Sequence, residues 1–221
     1  MSISAVMQEY LAEAYRIASD QGEPYVSTSA LAEAMGVTAP AVARMATRLR
    51  ELGYIDHEPY HGMCLTKIGE REALKAIRRH RLAEVFLTKV MGFKWHEVHD
   101  EADQLGPVIS EQLAKRMEEM TGFPKRCPHG EPIPTAEGDI EQLHDVSLSD
   151  ITPPSELKVS RVKTHDPEKL RYLAELGLVP EAPIALLSRA PFNGPLRLRI
   201  NGYEQVIGAE LAEILRVTTL E

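Results

Sequence analysis

Apolar side chains at the start of the chain recur at intervals of three and four: Ile3, Val6, Met7, Tyr10, Leu11, Ala14, Ile17 and Ala18. That period puts them on one face of an α-helix. The turn residues of "DQGEPY" end it. "STSALAEAMG" then offers hydroxyl caps at Thr28 or Ser29 and a stop at Gly36. "TAPAVARMATRLRELG" opens with Thr38 as cap and Pro40 in its first turn, buries Val42, Met45, Ala46 and Leu49, and stops at Gly53. Two short helices joined by a tight turn containing Gly make a helix-turn-helix. "YIDHE", "PYHG" and "MCLT" read next as strand, turn and strand, the wing of a winged helix.

The pattern then lengthens. One helix runs from Thr66 towards Val90, with Gly92 as its stop. A second starts near Trp95 and breaks at Gly106-Pro107, because proline removes a donor and clashes with the preceding turn. A third spans about Val108 to Met120. "KRCPHGEPIPTAEG" is a rigid crossing segment rich in Pro and Gly, and "SDITPPSE" is a turn cluster. Beyond it "ELKVSRV", "IALLSRA", "LRLRI" and "YEQVIG" have strand character around one helix, "DPEKLRYLAELG", and "AELAEILRV" closes the chain. The fold class is mainly α with a small β domain, in three regions: 1–75, 76–145 and 146–221.

Composition narrows the function classes. At 43% hydrophobic and 26% charged the chain is an ordinary globular protein. It has no run of eighteen apolar residues, which excludes an apolar membrane-spanning helix. Its start reads as an amphipathic helix and not as a signal peptide. The two cysteines, Cys64 and Cys127, stand in dissimilar contexts, which predicts no disulfide and a reducing cytoplasm. A net charge of −8 argues against a general nucleic-acid coat. The charge is uneven, however: residues 76–150 carry nine bases and fourteen acids, whereas residues 151–221 carry nine of each. No acid occurs from Val37 to Arg50, where Arg44, Arg48 and Arg50 lie. A helix so charged suits phosphate and a major groove. A tri-helical module that binds another protein would share the pattern but would not need the wing.

The acidic middle region carries the candidate chemistry. His80 and Glu84 are four residues apart in the long helix, between Ile77 and Leu87 on the same stripe. His96, His99, Asp100 and Asp103 follow in the next helix. Neighbouring helices that each present His and carboxylate inward build metal sites in helical bundles. Imidazole and carboxylate suit Mn²⁺, Fe²⁺, Co²⁺ or Zn²⁺. A buried ion pair at His80 and Glu84 is the competing reading. It would leave a winged-helix regulator that senses an organic effector. A metalloenzyme is the other rival, but no HExxH run, nucleophile loop or Gly-rich phosphate cradle is present.

"HRLAE" in the long helix, "VHDEA" in the next, "GEPIP" in the crossing segment and the winged helix before them resemble the diphtheria toxin repressor family of metal-dependent transcription regulators. The resemblance is nearest to the manganese-responsive members that keep a third domain, here an SH3-like FeoA-type barrel with "LGLVP" as a typical loop. It implies a homodimeric cytoplasmic regulator that binds a palindromic double-stranded operator when loaded with Mn²⁺, with Fe²⁺ the second candidate. It implies a winged helix-turn-helix over 1–75, a helical dimerisation and metal-binding domain over 76–145, and the barrel over 146–221. The family's ancillary site falls on His80, Glu84 and His99, completed by His165 and Glu168. Its primary site falls on Glu9 and Asp103, but the two ligands that normally follow are replaced by Gly106 and Pro107. Cys127 and His129 read as structural, because Cys-x-His alone is a weak ligand signal. DNA-facing candidates are Ser27, Thr28, Thr38, Ala39, Pro40, Arg44 and Arg48, with His61 in the wing.

Overall fold

A computed structural model describes residues 3–58 and 61–220. The turn read at Pro59 and Tyr60 lies outside them. The chain divides into two compact units: residues 1–80, 103–114 and 134–140 form one, and residues 81–102, 115–133 and 141–221 form the other.

The first unit opens with α1, Ala5–Gln21, whose N-cap Ser4 accepts a hydrogen bond from Met7 N–H. It ends at Gly22, whose φ of 70° suits only a residue without Cβ strain. Next, α2 is Thr28–Ala34 and α3 is Ala39–Glu51. The cap of α2 is Ser27, one residue earlier than the sequence suggests; its Oγ accepts from Ala30 N–H at 3.1 Å. Three consecutive hydroxyl residues are chemically equivalent caps, and only the extended backbone at Ser27 decides between them. Thr38 caps α3 by backbone alone, with Pro40 in the first turn. The wing strands β1, Ile55–Glu58, and β2, Gly62–Leu65, pair antiparallel, and Val26 bridges Met63. Gly62 has φ 113°, and a Cβ there would lie 2.5 Å from the Val26 carbonyl, so this junction requires glycine. Leu11, Leu31, Val42, Leu49, Ile55 and Met63 form the core beneath these elements.

Helix α4, Lys67–Lys89, begins where Thr66 Oγ1 accepts from Gly69 N–H and donates to the Gly53 carbonyl. Its later residues belong to the second unit. Helix α5 is Val98–Leu105, so Trp95 and His96 precede the helix expected to start with them. There Glu97 accepts from Lys94 N–H and holds a short turn instead. A single 3-10 turn, Gly106–Val108, interrupts the chain before α6, Glu111–Met120.

The rest of the second unit is a six-stranded antiparallel sheet in the order β3-β8-β4-β5-β6-β7. Its strands are β3 Val146–Ser147, β4 Ser155–Val162, β5 Pro183–Arg189, β6 Leu196–Ile200, β7 Tyr203–Ile207 and β8 Leu215–Thr219. Helix α7, Pro167–Leu176, follows β4, and α8, Ala209–Ile214, hands directly to β8, so "AELAEILRV" is half helix and half strand. Leu157, Leu170, Leu173, Leu178, Ile184 and Leu198 are fully enclosed in its core. Bulges between Val159 and Arg161 and between Leu186 and Ser188 add the curvature a small barrel-like sheet needs.

Candidate metal centre and DNA-facing surface

Five potential donor side chains converge within the second unit. Glu84 comes from α4 and is 1% exposed. His99 comes from the start of α5, with its Nδ1 3.5 Å from Glu84 Oε1. His165 stands immediately before α7, and its ring stacks on His99 with centroids 3.6 Å apart. Cys127 and His129 come from the crossing segment. A tight turn holds that segment: Gly130 N–H donates to the Cys127 carbonyl, and Cys127 N–H to the Glu131 carbonyl. Gly130 has φ 90°, and a Cβ there would meet the Ser160 carbonyl at 2.3 Å. Glycine therefore lets the segment lie against β4 and turns the Cys127 and His129 side chains inward.

The local chemistry suits a cation. His129 is 1% exposed, and its Nε2 sits 2.9 Å from the Trp95 carbonyl, which can only accept. Nε2 therefore carries the hydrogen. Nδ1 lies 3.2 Å from Glu84 Oε1 but makes no hydrogen bond. A ring nitrogen thus faces a buried carboxylate oxygen with no hydrogen bond between them, an arrangement that a cation between the two would satisfy. Anchoring the distal ring nitrogen on a carbonyl is how proteins orient a ligating histidine. Burial, helped by the Glu84 charge, pushes the Cys127 thiol well above its ordinary pKa. A bound divalent ion would reverse that by holding the thiolate. Within this unit the donors close into two triads, Glu84–His99–His165 and Glu84–Cys127–His129, each with its donor atoms within 4.8 Å of one another.

Glu168 joins neither triad. It is exposed in the first turn of α7, where its N–H donates to the capping Asp166 carboxylate. Cys127 and His129, which the sequence alone reads as structural, stand here among the candidate donors. Their signal was a Cys-x-His pair in a segment whose prolines and glycines fix its path.

The first unit holds the other predicted ligands. His80 Nδ1 is 3.1 Å from Asp103 Oδ1. Burial, and then the charge of Asp103, hold the Glu9 carboxyl above its usual range. Gly106 offers only its backbone. Its carbonyl accepts from Arg79 Nε at 3.3 Å, and Arg79 also donates to Gln8 Oε1 at 2.7 Å and to Glu111 at 3.1 Å.

On the winged helix, Thr38, Ala39, Pro40, Arg44 and Arg48 are all exposed along α3, whose only acid is the terminal Glu51. Ser27 is exposed but engaged as the α2 cap, and Thr28 is half-buried. His61 is exposed and its ring lies 5.5 Å from that of Tyr25. The Tyr25 hydroxyl donates to Glu58, which pushes its pKa up to about 12 and braces the wing. No helix among the described residues is long and apolar enough to cross a membrane.

Comparison with known proteins covers nearly the whole chain. Residues 2–63 match the N-terminal DNA-binding domain of iron-dependent repressors, residues 66–135 their metal-binding and dimerisation domain, and residues 146–219 the FeoA domain. An uncharacterised helix-turn-helix transcriptional regulator of Methanocaldococcus jannaschii is 30% identical over 115 residues, 52% of this chain and 91% of that protein. The diphtheria toxin repressor of Corynebacterium glutamicum is 27% identical over 201 residues, 86% of this chain and 87% of that protein. Among solved structures, a manganese-dependent transcriptional repressor in complex with manganese superposes with a TM-score of 0.89 at 35% identity, over 97% of this chain and 100% of that one.

Proposed function

Because the chain belongs to the diphtheria toxin repressor family of metal-dependent transcriptional regulators, we propose that it represses metal-uptake genes in response to Mn²⁺, with Fe²⁺ as a second activating ion. It is a DNA-binding regulator and not an enzyme, and it works as a homodimer on double-stranded DNA. Residues 1–75 are the DNA-binding domain, residues 76–145 serve metal binding and dimerisation, and residues 146–221 are the SH3-like domain. Its compartment is the cytoplasm. Arg44 and Arg48 face the operator from α3, with Thr38, Ala39 and Pro40 at the helix start and His61 in the wing. In a dimer on a palindrome the two α3 helices enter successive major grooves about 34 Å apart, one helical turn.

The observation that carries the metal reading is the buried His129 Nδ1, which faces the Glu84 carboxylate oxygen at 3.2 Å with no hydrogen-bond partner. Glu84 would hold the regulatory ion, either with His99 and His165 or with Cys127 and His129. Glu9, His80 and Asp103 form a second candidate set. The ion supplies positive charge that joins helix, crossing segment and the start of α7. His129 orients its ligand nitrogen through Trp95, and Glu84 carries the compensating negative charge. Such an ion acts on DNA binding only as far as it favours the operator-competent conformation over others. Cys127 is a soft donor and favours Fe²⁺ over Mn²⁺ more than an all-oxygen and imidazole set would.

The test is operator binding by protein stripped with chelator, on DNA selected from random sequence, with each ion restored at matched free concentration. Recovery with Mn²⁺ supports the proposal. Recovery with Fe²⁺ alone would make it an iron regulator, and binding that is indifferent to both ions would reject a metal signal.

A further inference from the structure

A file of alternating charges runs from α4 into the sheet. Arg81 donates to Glu131 Oε2 at 3.1 Å and to the Pro132 carbonyl. Arg161 donates to the other oxygen, Glu131 Oε1, at 2.9 Å. It also grips Asp145 from Nε and Nη2, at 2.9 and 3.0 Å. Arg216 closes the file on Asp145 Oδ1 at 3.2 Å. All of these residues belong to the second compact unit. We infer that this file latches the SH3-like domain to the second half of α4 and the crossing segment, with Glu131 as the joint, so that its docking does not wait for an ion. The inference goes beyond the function proposed above and rests on no metal ligand.

Glu131 is the joint because its two oxygens serve two regions, Arg81 on α4 and Arg161 on β4. Remove its charge and the two guanidinium groups meet across the same gap as like charges, so attraction turns into repulsion. The side chains of Arg81, Glu131 and Arg161 are no more than 20% exposed, which limits screening by salt. That sets them apart from exposed surface pairs, which contribute little. Asp145 lies deeper still, at 1% exposed, and the two parallel bonds from Arg161 fix the direction of that guanidinium as well as its charge. Arg161 is thus held on the sheet side by Asp145 and presents its remaining nitrogen to Glu131.

Backbone and apolar contacts run along the same seam. Val162 N–H, at the end of β4, donates to the His129 carbonyl at 2.9 Å. Gly130 lets the crossing segment lie flush on β4, since a Cβ there would also meet Arg161 Cα at 2.7 Å. Trp95, the chain's single tryptophan, packs against the apolar core of the sheet. Domains joined in one chain move relative to each other unless their contact is extensive. Here a polar file, a main-chain bond and an aromatic side chain all act at one contact. Docking then adds no conformational cost to the binding of an ion, and an effect of that ion on DNA cannot come from capture of a free domain.

Two signals on the full-length protein test this after chelator treatment. The emission maximum of Trp95 reports whether the sheet covers the indole, and hydrogen exchange at the Val162 amide reports its bond to His129. Chelated protein should show blue-shifted emission and slow exchange, and added Mn²⁺ should change neither. Glu131→Gln should move the emission to the red and speed Val162 exchange at least about tenfold, with the amides of β6 unaffected. Arg81→Met, a change outside the sheet, should do the same. If chelated protein already shows red-shifted emission and fast exchange, and Mn²⁺ reverses both, the ion docks the domain and the inference fails. Unchanged signals in both variants would mean that these charges hold nothing together. If the β6 amides speed up as much as Val162 in both variants, the file only stabilises the sheet, which equally overturns the latch.

Discussion

Arg79 donates from Nε to the main-chain carbonyl of Gly106, and its other nitrogens reach Gln8 on α1 and Glu111 on α6. The family resemblance implies a metal-binding side chain at the Gly106 position; here a fixed guanidinium uses the backbone instead. The same three elements are tied by a positive charge that needs no supply from solution. Arg79 is 6% exposed, so removing it strands partners in a nearly dry site. Arg79→Met should cost about 1–3 kcal/mol of stability. Thermal unfolding with and without Mn²⁺ checks the idea, and equal losses in the two conditions are expected. A loss confined to the metal-loaded protein would mean that Arg79 serves an ion and does not replace one.

Asp145 is the anionic centre of a second network. It accepts from Arg161, Arg216 and Ser160. Burial alone would raise its pKa; hydrogen bonds from Arg161 and Ser160, with the arginine charges, overcome that and hold it below the usual carboxylate range. A carboxyl whose folded pKa is depressed stabilises the fold above its unfolded pKa and loses that contribution as pH falls through the folded value. Asp145→Asn should therefore destabilise at neutral pH by roughly 2–3 kcal/mol. The gap from the unmodified protein should close on acidification. Denaturant midpoints across that range provide the measurement, and a gap independent of pH would remove the electrostatic account.

Glu9 has the opposite sign. Its carboxyl is raised by burial and then by Asp103, so what it contributes in the protonated form is lost as pH rises through its folded pKa. Glu9→Gln should raise the melting temperature of metal-free protein at neutral pH, with a smaller gain in acid. Mn²⁺ at this position would cancel the repulsion between Glu9 and Asp103. A gain that persists in saturating Mn²⁺ would indicate that no ion binds there.

On α3 the sequence pattern was sufficient, because exposure follows directly from helical period. Arg44 is exposed in the first half of that helix, where base edges are met, whereas Arg48 lies a turn later. Arg44→Ala should cost about 1–3 kcal/mol on the selected operator and less on scrambled DNA, if it grips a guanine with both nitrogens. Arg48→Ala should weaken both DNAs alike and flatten the salt dependence. Competition binding at two salt concentrations distinguishes these outcomes. Equal effects of Arg44→Ala on both DNAs would reassign it to phosphate.

Local periodicity made the helices, the wing and the terminal strands legible, because each is written within a dozen residues. The donor set was only half legible. His80 and Glu84 share a helical stripe, yet the side chain His80 meets is Asp103, on another helix. Glu84 meets Cys127 and His129 more than forty positions away, with no spacing rule to join them. That pairing depends on a glycine turn packed on β4, which no periodicity reports. The helix expected near Trp95 begins at Val98, after a turn in which Glu97 accepts from Lys94 N–H.

His165 and Glu168 give the sharpest contrast between sequence and structure, since the resemblance treats them as joint ligands. They flank the N-cap Asp166, whose carboxylate receives the Glu168 and Lys169 N–H groups and starts α7. That cap turns the chain between them. His165 stacks on His99 while Glu168 stays exposed in the first helical turn, where its charge favours the helix dipole. Its carboxylate lies outside both triads. Removing a ligand from a three-donor set should weaken metal binding at least tenfold, which is about 1.4 kcal/mol. His165→Ala should show that loss in a Mn²⁺ titration followed by the ion's paramagnetic signal, and Glu84→Gln a larger one. Glu168→Ala should leave affinity within about twofold and cost at most about 1 kcal/mol of stability through the dipole. Equal losses at His165 and Glu168 would return Glu168 to the ligand set and require the start of α7 to unwind when the ion binds.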